Sequence, residues 1–323
     1  MSNISLKDDF DKLAEALGMT SDKVSEKGNG INLPRLRIVK EGVLGETEIK
    51  GKTKSYQIVD PGSFVLDTYE DGSSRKIYGK QAKIRIFVQR FKFERYVTED
   101  GKYINSILSP AQFEEDLPDT SGGMNCGRPH RGYIDPKVYD GMTSEEQSLQ
   151  KTTKRVRVIL GLVTFDSAID DKGEEINLSE PTPFVWDITN NTAFKVIGEL
   201  VGTMNASKIL FPKREIVFGS EQKGEGEFKT FIPKVISRSD KDIKFTAKDQ
   251  ENLSMFLEWI EQTNTWVLNQ AGNTEAKTHS IDAIEVEEPK EKEPKKVSVK
   301  KEESPAPKKD LNKILDEWDD DEE

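Results

Sequence analysis

The sequence predicts a mainly β domain with accessory helices, followed by a disordered acidic C-terminal tail. Three observations lead there. From residue 33 to about 236, short runs rich in Val, Ile, Phe, Tyr and Thr are punctuated by Gly, Pro, Asp and Ser. Only 34% of the 323 residues are hydrophobic against 33% charged, so part of the chain lacks the apolar surface needed to fold. The composition then changes abruptly near residue 271, where aromatic residues stop and Glu, Lys, Pro and Ser take over.

Taken in order, residues 6–17 read as an amphipathic helix, with Leu6, Phe10, Leu13 and Leu17 on one stripe and Gly18 placed to end it. The loose stretch TSDKVSEKGNG after it isolates residues 1–30 as an arm, which either packs back on the core or contacts a neighbouring subunit. Strands are expected at 36–40, 55–58, 63–67, 83–96, 103–108, 156–165, 182–187, 215–219 and 228–238. The Asp-Gly pair in TEDGK (98–102) and the DDKG at 170–173 read as tight turns. Helices are expected at 192–204, after an Asn-rich turn, and at 247–268, where Thr246 and Asp249 make a capping-box-like start that closes the folded domain. Residues 110–148 are rich in Gly and Pro with little periodicity, an irregular insertion of the length usually kept for function or mobility.

The segment 75–96, RKIYGKQAKIRIFVQRFKFERY, holds eight basic residues and one acid in a chain whose net charge is −11. On a regular strand Arg85, Phe87, Gln89, Phe91, Phe93 and Arg95 share one face, and Ile86, Val88, Arg90, Lys92, Glu94 and Tyr96 the other. Cations along a track with aromatic planes between them suit a single-stranded nucleic acid, whose phosphates need charge and whose unstacked bases need rings. The candidate binding residues are therefore Arg75, Lys76, Lys80, Lys83, Arg85, Arg90, Lys92 and Arg95 with Phe87, Phe91, Phe93 and Tyr96. Any one of these Phe residues is equally readable as core. A second basic run, Lys151, Lys154, Arg155 and Arg157, enters the apolar stretch VILGLVTF and extends the positive track. Lys208, Lys213 and Arg214 around Phe211 form a weaker third patch.

The chemistry that is missing narrows the choice. One cysteine, Cys126, and two histidines, His130 and His279, make neither a disulfide nor an unaided zinc site. Cys126 and His130 lie four apart in NCGRPH, a loop contact rather than a nucleophile and its base. No GxxxxGK[ST], GxGxxG, HExxH or GxSxG is present, and the Glu-x-Lys spacings at 48–50 and 227–229 are what chance gives in a chain this charged. No catalytic residue, cofactor or metal is assigned. No stretch approaches the roughly 20 apolar residues of a membrane span, and the first residues carry acids where a secretory leader needs bases, so an intracellular, cytoplasmic protein is expected.

Beyond residue 271 the chain carries 17 acidic and 10 basic residues. Residues 271–309 cannot bury enough apolar surface to offset the entropy of ordering, and read as a flexible linker. The tip, 310–323, places Leu311, Ile314, Leu315 and Trp318 at helical spacing among acids, including Asp319, Asp320 and Asp321. A purely solubilising tail has no use for Trp; a docking peptide held by its apolar side chains does.

These features together resemble the bacteriophage single-stranded DNA-binding, helix-destabilising proteins. The passage SLQKTTKRVRVILGLVTFDSAIDDKGEE, then FVWDITNNTAFKVIGEL, is similar in layout to that family's basic segment, core strand, acidic turn, strand and helix. The resemblance covers residues 31–238 in layout, and the tail. It implies an OB-fold-like barrel over 31–270 interrupted near 110–148, and sequence-independent coating of single-stranded DNA in phage replication, recombination and repair. It further implies no enzymatic activity, recruitment of replication or recombination proteins by the acidic tip, and residence in the host cytoplasm. One branch of the family carries a zinc-bound subdomain where this chain offers only Cys126 and His130, so that module is absent or replaced. Opposite charges on 75–96 and 314–323 lead to the expectation that the tail competes with DNA for the basic track. Two other readings stand beside it: a phage assembly or protein-interaction protein with a solubilising tail, and, with least support, a metal-dependent nuclease.

Overall fold

The computed structural model describes residues 31–281 apart from 50–51 and 71–72. The expected arm at 1–30 and the chain beyond Ile281, with Ile314, Leu315, Trp318, Asp319, Asp320 and Asp321, lie outside the described residues. The strands are β1 (Arg35–Ile38), β2 (Val43–Ile49), β3 (Lys52–Val59), β4 (Phe64–Glu70), β5 (Ser73–Gly79), β6 (Ala82–Val97), β7 (Lys102–Asn105), β8 (Lys154–Thr164), β9 (Ala168–Ile169), β10 (Glu175–Ile176), β11 (Thr182–Ile188), β12 (Ile216–Lys223) and β13 (Thr230–Arg238). The helices are α1 (Pro136–Asp140), α2 (Ser144–Thr152), α3 (Asn191–Ala206) and α4 (Ala247–Ile281). The fold is mainly β with a few helices. One large mixed sheet runs in the order β10-β9-β5-β4-β1-β11-β8-β6-β12-β13, with β7 on the far end of β6, while β2 and β3 form a separate ribbon.

Local signals place most of these elements. The carboxylate of Asp170 accepts from the backbone N–H groups of Lys172 and Glu174, forming the turn predicted at 170–173. Asn190 caps α3 by accepting from Thr192 N–H and Ala193 N–H. Thr246 and Asp249 make the reciprocal capping box at the start of α4. α4 runs on to Ile281, through residues assigned above to the linker. The ribbon strand β2, VLGETEI, was missed because it carries few apolar residues and a central Gly.

The sheet curls tightly. The Trp186 ring on β11 lies 6.1 Å from Phe64 of β4 and 6.0 Å from Phe218 of β12. Between β11 and β12 stand β8 and β6, so a flat sheet would hold those two strands roughly 14 Å apart at about 4.8 Å per spacing. Only a concave sheet brings both rings onto one tryptophan. At the far end β13 approaches β1 to within 8 Å between Cα atoms. Among the described residues no ladder pairs them, so the sheet is open where a closed barrel was implied.

Both faces of the middle of this sheet are covered. α3 fills the concave side with Ala193, Ile197, Leu200, Val201 and Met204 against Ile84, Ile86, Ile159 and Trp186. α4 covers the convex side, where Phe256 and Ile260 pack on Val156, Val158, Leu160 and Val185. A strand buried on both faces needs a continuous apolar run rather than alternation, which is what VILGLV supplies in β8. The insertion is ordered, because Phe113, Leu117 and Cys126 pack as a small third core on Phe91 and Phe93.

The register of the β6–β8 pair slips between Ile86 and Val88, opposite Gly161. A Cβ at Gly161 would lie 2.1 Å from the Arg85 carbonyl oxygen, a backbone atom that cannot swing away. Gly161→Ala is therefore expected to cost about 1–3 kcal/mol by forcing the two strands apart. Gly202, exposed on α3 with nothing within 4 Å of a Cβ, is the matched control. Gly202→Ala should gain about 0.5–1 kcal/mol through the lower backbone entropy of alanine. Urea unfolding midpoints of the two variants check both, and equal effects would refute the close-packing account.

Candidate functional site

The bulge in β6 reorganises its side chains. Before it Ile84 and Ile86 face the concave core, and after it Gln89, Phe91, Phe93 and Arg95 do. Arg85, Phe87, Val88, Arg90, Lys92 and Glu94 turn toward the α4 side. The single alternating face expected from the sequence, carrying Arg85 and Phe87 together with Phe91 and Phe93, is thus divided between two sides of the sheet. All three rings are core residues, at 6%, 1% and 0% exposure for Phe87, Phe91 and Phe93. Phe87 packs on Phe256 of α4, and Phe91 and Phe93 on Phe113 of the insertion. They cannot offer stacking surfaces to a ligand, which corrects that part of the sequence reading. The physical reason is that both faces of β6 are covered, one by a helix and one by the insertion.

Several of the predicted cations are neutralised. Arg85 pairs with Asp249 at 2.9 Å and donates to the Pro212 carbonyl. Lys80 pairs with Asp60 and Lys83 with Asp166. Burial by itself would lower the Lys92 pKa, but the carboxylates of Asp187 and Glu94 together outweigh it and raise it. Arg75 and Lys76 sit on the exposed half of β5, which β4, β1, β11 and β8 separate from β6. They are not brought to the rest. In the weaker third patch, Lys213 and Arg214 both face Asp242.

A second set has no such partner. Among the described residues no carboxylate pairs with Arg90, Arg95, Arg128, Lys151, Lys154, Arg155 or Arg157, whereas Lys80, Lys83, Arg85, Lys92, Lys213 and Arg214 are paired. Arg157, only 2% exposed, lies opposite Phe91 in the ladder, with its guanidinium 4.3 Å from the Phe194 ring centre and 5.1 Å from that of Phe91. Gln89 accepts from it, while its Nε has no partner. Burial lowers its pKa to about 10, which leaves it charged at neutral pH. Arg155 stands opposite Phe93 and lies 5.8 Å from the Phe113 ring. Arg128 is fixed by the His130 carbonyl at 2.8 Å and the Thr153 carbonyl at 2.7 Å. Burial, with the charge of Arg155 adding to it, brings the Arg128 pKa down to about 10.

Four of these cations, Arg128, Lys151, Lys154 and Arg155, line one recess of about 430 Å³, formed where α2 passes into β8 and β11 passes into α3. The rest of its wall is amide and hydroxyl, from Gln150, Thr153, Thr189, Asn190 and Asn191. At the same end of β6, Tyr96 and Tyr103 face each other across the β6–β7 ladder with rings 4.9 Å apart, 48% and 59% exposed. Glu94, two residues before Tyr96, is paired in register with Lys154. An exposed aromatic pair therefore stands at the end of β6 that pairs with Lys154, where Arg128 and Arg155 are partly desolvated and Arg155 repels Arg128. Tyr96, Lys151, Lys154 and Arg155 of this group were predicted, as were Arg90, Arg95 and Arg157 of the wider unpaired set; Arg128 and Tyr103 were not. The signal for Arg128 was a basic GRPHRG loop within an otherwise acidic insertion.

The NCGRPH pair is divided between interior and surface. The Cys126 thiol donates to the Phe93 carbonyl at 3.3 Å, and burial foremost, then the Asp119 carboxylate, pushes its pKa well above the ordinary value. His130 is exposed, with its backbone N–H held by Gln150. Among the described residues no three His, Cys, Asp or Glu side chains are grouped to hold a metal ion, and no helix is long and apolar enough to cross a membrane. No known protein family, curated protein or solved structure matches this chain.

Two consequences can be measured. Phe91→Ala should lose about 3–5 kcal/mol of stability, as a buried ring does, whereas Tyr96→Ala and Tyr103→Ala should stay within about 0.5 kcal/mol of the parent. Urea unfolding distinguishes them, and a stable Phe91→Ala would show that the ring is not core. For Cys126, the unfolded thiol ionises near 9.0 while the folded one stays protonated. The native state then binds the extra proton, so stability falls as pH rises past that value. At about pH 8 the native thiol should resist dithionitrobenzoate and react only on unfolding; rapid native labelling would contradict the burial.

Proposed function

We propose that the protein binds single-stranded DNA without regard to sequence, as a non-enzymatic coating protein of phage DNA replication and recombination. The observation that carries this reading is the set of seven cations that have no carboxylate partner among the described residues, four of them in one recess, with the exposed Tyr96–Tyr103 pair at the same end of β6, in a chain of net charge −11. Fixed positive charge follows the phosphates and the tyrosines receive unstacked bases, so affinity comes without base choice. Relative to the sequence reading, the stacking role passes from the buried Phe residues to Tyr96 and Tyr103, and the track is centred on Arg95, Arg128, Lys151, Lys154 and Arg155. We read the curled sheet, in which β1 and β11 pair in parallel, as an opened and elaborated form of the OB barrel, itself a partly open Greek-key arrangement. The acidic tip then recruits replication or recombination proteins through Ile314, Leu315 and Trp318 among its acids, and the N-terminal arm, expected from its sequence to be helical, serves self-association.

Fluorescence anisotropy of labelled oligo-dT and of a matched duplex, titrated with the full chain without Mg²⁺ at two salt concentrations, tests this. Tight binding to oligo-dT and weak binding to duplex are expected, with a log–log salt slope of about −0.7 per neutralised phosphate. Tyr96→Ala should cost about 1–3 kcal/mol of binding. Lys154→Ala should flatten the salt slope by about 0.7. Removal of residues 314–323 should tighten binding at low salt if the tail competes for the track. Absence of binding to either DNA, with or without those ten residues, would overturn the reading in favour of a protein-interaction role.

A further inference from the structure

The recess holding Arg128, Lys151, Lys154 and Arg155 is a different kind of surface from an open phosphate track. Every residue lining it is polar or charged, so a base entering it would find no ring to stack on. A backbone phosphodiester carries one negative charge and continues into sugar on both sides, which suits an open groove. A phosphate monoester carries about −1.5 to −2 at neutral pH, has three strong acceptor oxygens, and is attached on one side only. A recess with four cations and no acid matches the second group in both charge and connectivity.

We propose that this recess receives the terminal phosphate of a nucleic-acid strand, so that the protein prefers strands with a phosphorylated end. The inference rests on the single-strand reading above. Arg128 is the organising residue: its Nε is held by the His130 carbonyl and its Nη1 by the carbonyls of Thr153 and Gln150. Those bonds fix the plane of the guanidinium and leave Nη2 for the ligand, a preorganised donor that pays little ordering entropy on binding. Lys151, seated 5.6 Å from the Tyr139 ring, and the exposed Lys154 close over the same space from the end of α2 and the start of β8. The first turn of α3 is not itself the receptor, because the Asn190 carboxamide oxygen already accepts from its Thr192 and Ala193 N–H groups. What Asn190 and Asn191 add is side-chain amide surface on the rim. With the strand end anchored here, Tyr96 and Tyr103 at the same end of the sheet are placed for the adjoining bases.

The test uses the full chain and internally labelled oligo-dT bearing a 5′-phosphate, a 3′-phosphate, or hydroxyls at both ends, compared by anisotropy at one salt concentration. One of the phosphorylated forms should bind about five- to tenfold more tightly than the hydroxyl form. Lys151→Ala and Lys154→Ala, both at exposed positions, should reduce that ratio to below about twofold, with a smaller loss for the hydroxyl oligonucleotide. Equal affinity for all three oligonucleotides, with oligo-dT still bound, overturns the end-phosphate inference and leaves the single-strand reading standing. No binding of any oligonucleotide removes both. Inorganic phosphate or dTMP at the oligonucleotide's concentration should leave the preference intact; if dTMP abolishes it, the occupant is a free nucleotide and the strand-end assignment fails.

Discussion

Covering both faces of the β6–β8 pair is the constraint from which the rest of the molecule follows. α3 occupies the concave side, α4 the convex side, and the insertion, together with Phe194 of α3, seals the stretch around Phe91 and Phe93. Apart from Arg90, which donates to the Gln89 carbonyl, charged side chains on these strands are then left three options. They meet a carboxylate, as Arg85 and Lys92 do; they are clamped between rings, as Arg157 is; or they emerge at the strand ends. The last option concentrates uncompensated positive charge at one end of the sheet, in a chain that is otherwise acidic.

The placement of Arg157 shows how the site and the core share residues. Its guanidinium is flanked by Phe91 and Phe194, and Phe194 comes from the first turn of the same helix whose N-cap, Asn190, lines the recess. Phe113, which packs on Phe91 and Phe93, also faces Arg155. The aromatic residues that read as a ligand platform are therefore a platform of another kind, holding arginines in position from beneath. Cation–π contact offsets part of the desolvation that burial imposes on a guanidinium, without neutralising its charge.

The insertion has a comparable dual part. Its interior is a small core with Cys126 kept as a protonated thiol and Asp119 accepting from the Cys126 and Ser121 backbone N–H groups. Its margin carries Arg128, pinned by three carbonyls, at the lip of the recess. A segment without periodicity can still be rigid where carboxylate-to-backbone hydrogen bonds replace regular ladders.

What the sequence determined by itself is local. Capping residues such as Thr246 with Asp249, the Asp170 turn, the continuous apolar run of β8 and the stripe of α3 depend on neighbours within a few positions, and these elements form where the pattern placed them. The identity of a basic aromatic strand was equally legible. What only the tertiary structure decided was which face of it meets what. The slip at Ile86 to Val88 depends on Gly161, far along the chain, and it reverses the alternation on which any assignment of faces rests. Whether a cation is paired depends on carboxylates distant in sequence, Asp249 for Arg85 and Asp187 for Lys92. The recess exists only because the ends of α2 and β11 meet there. Alternation and charge runs record what a strand can present; long-range packing decides which of it reaches solvent.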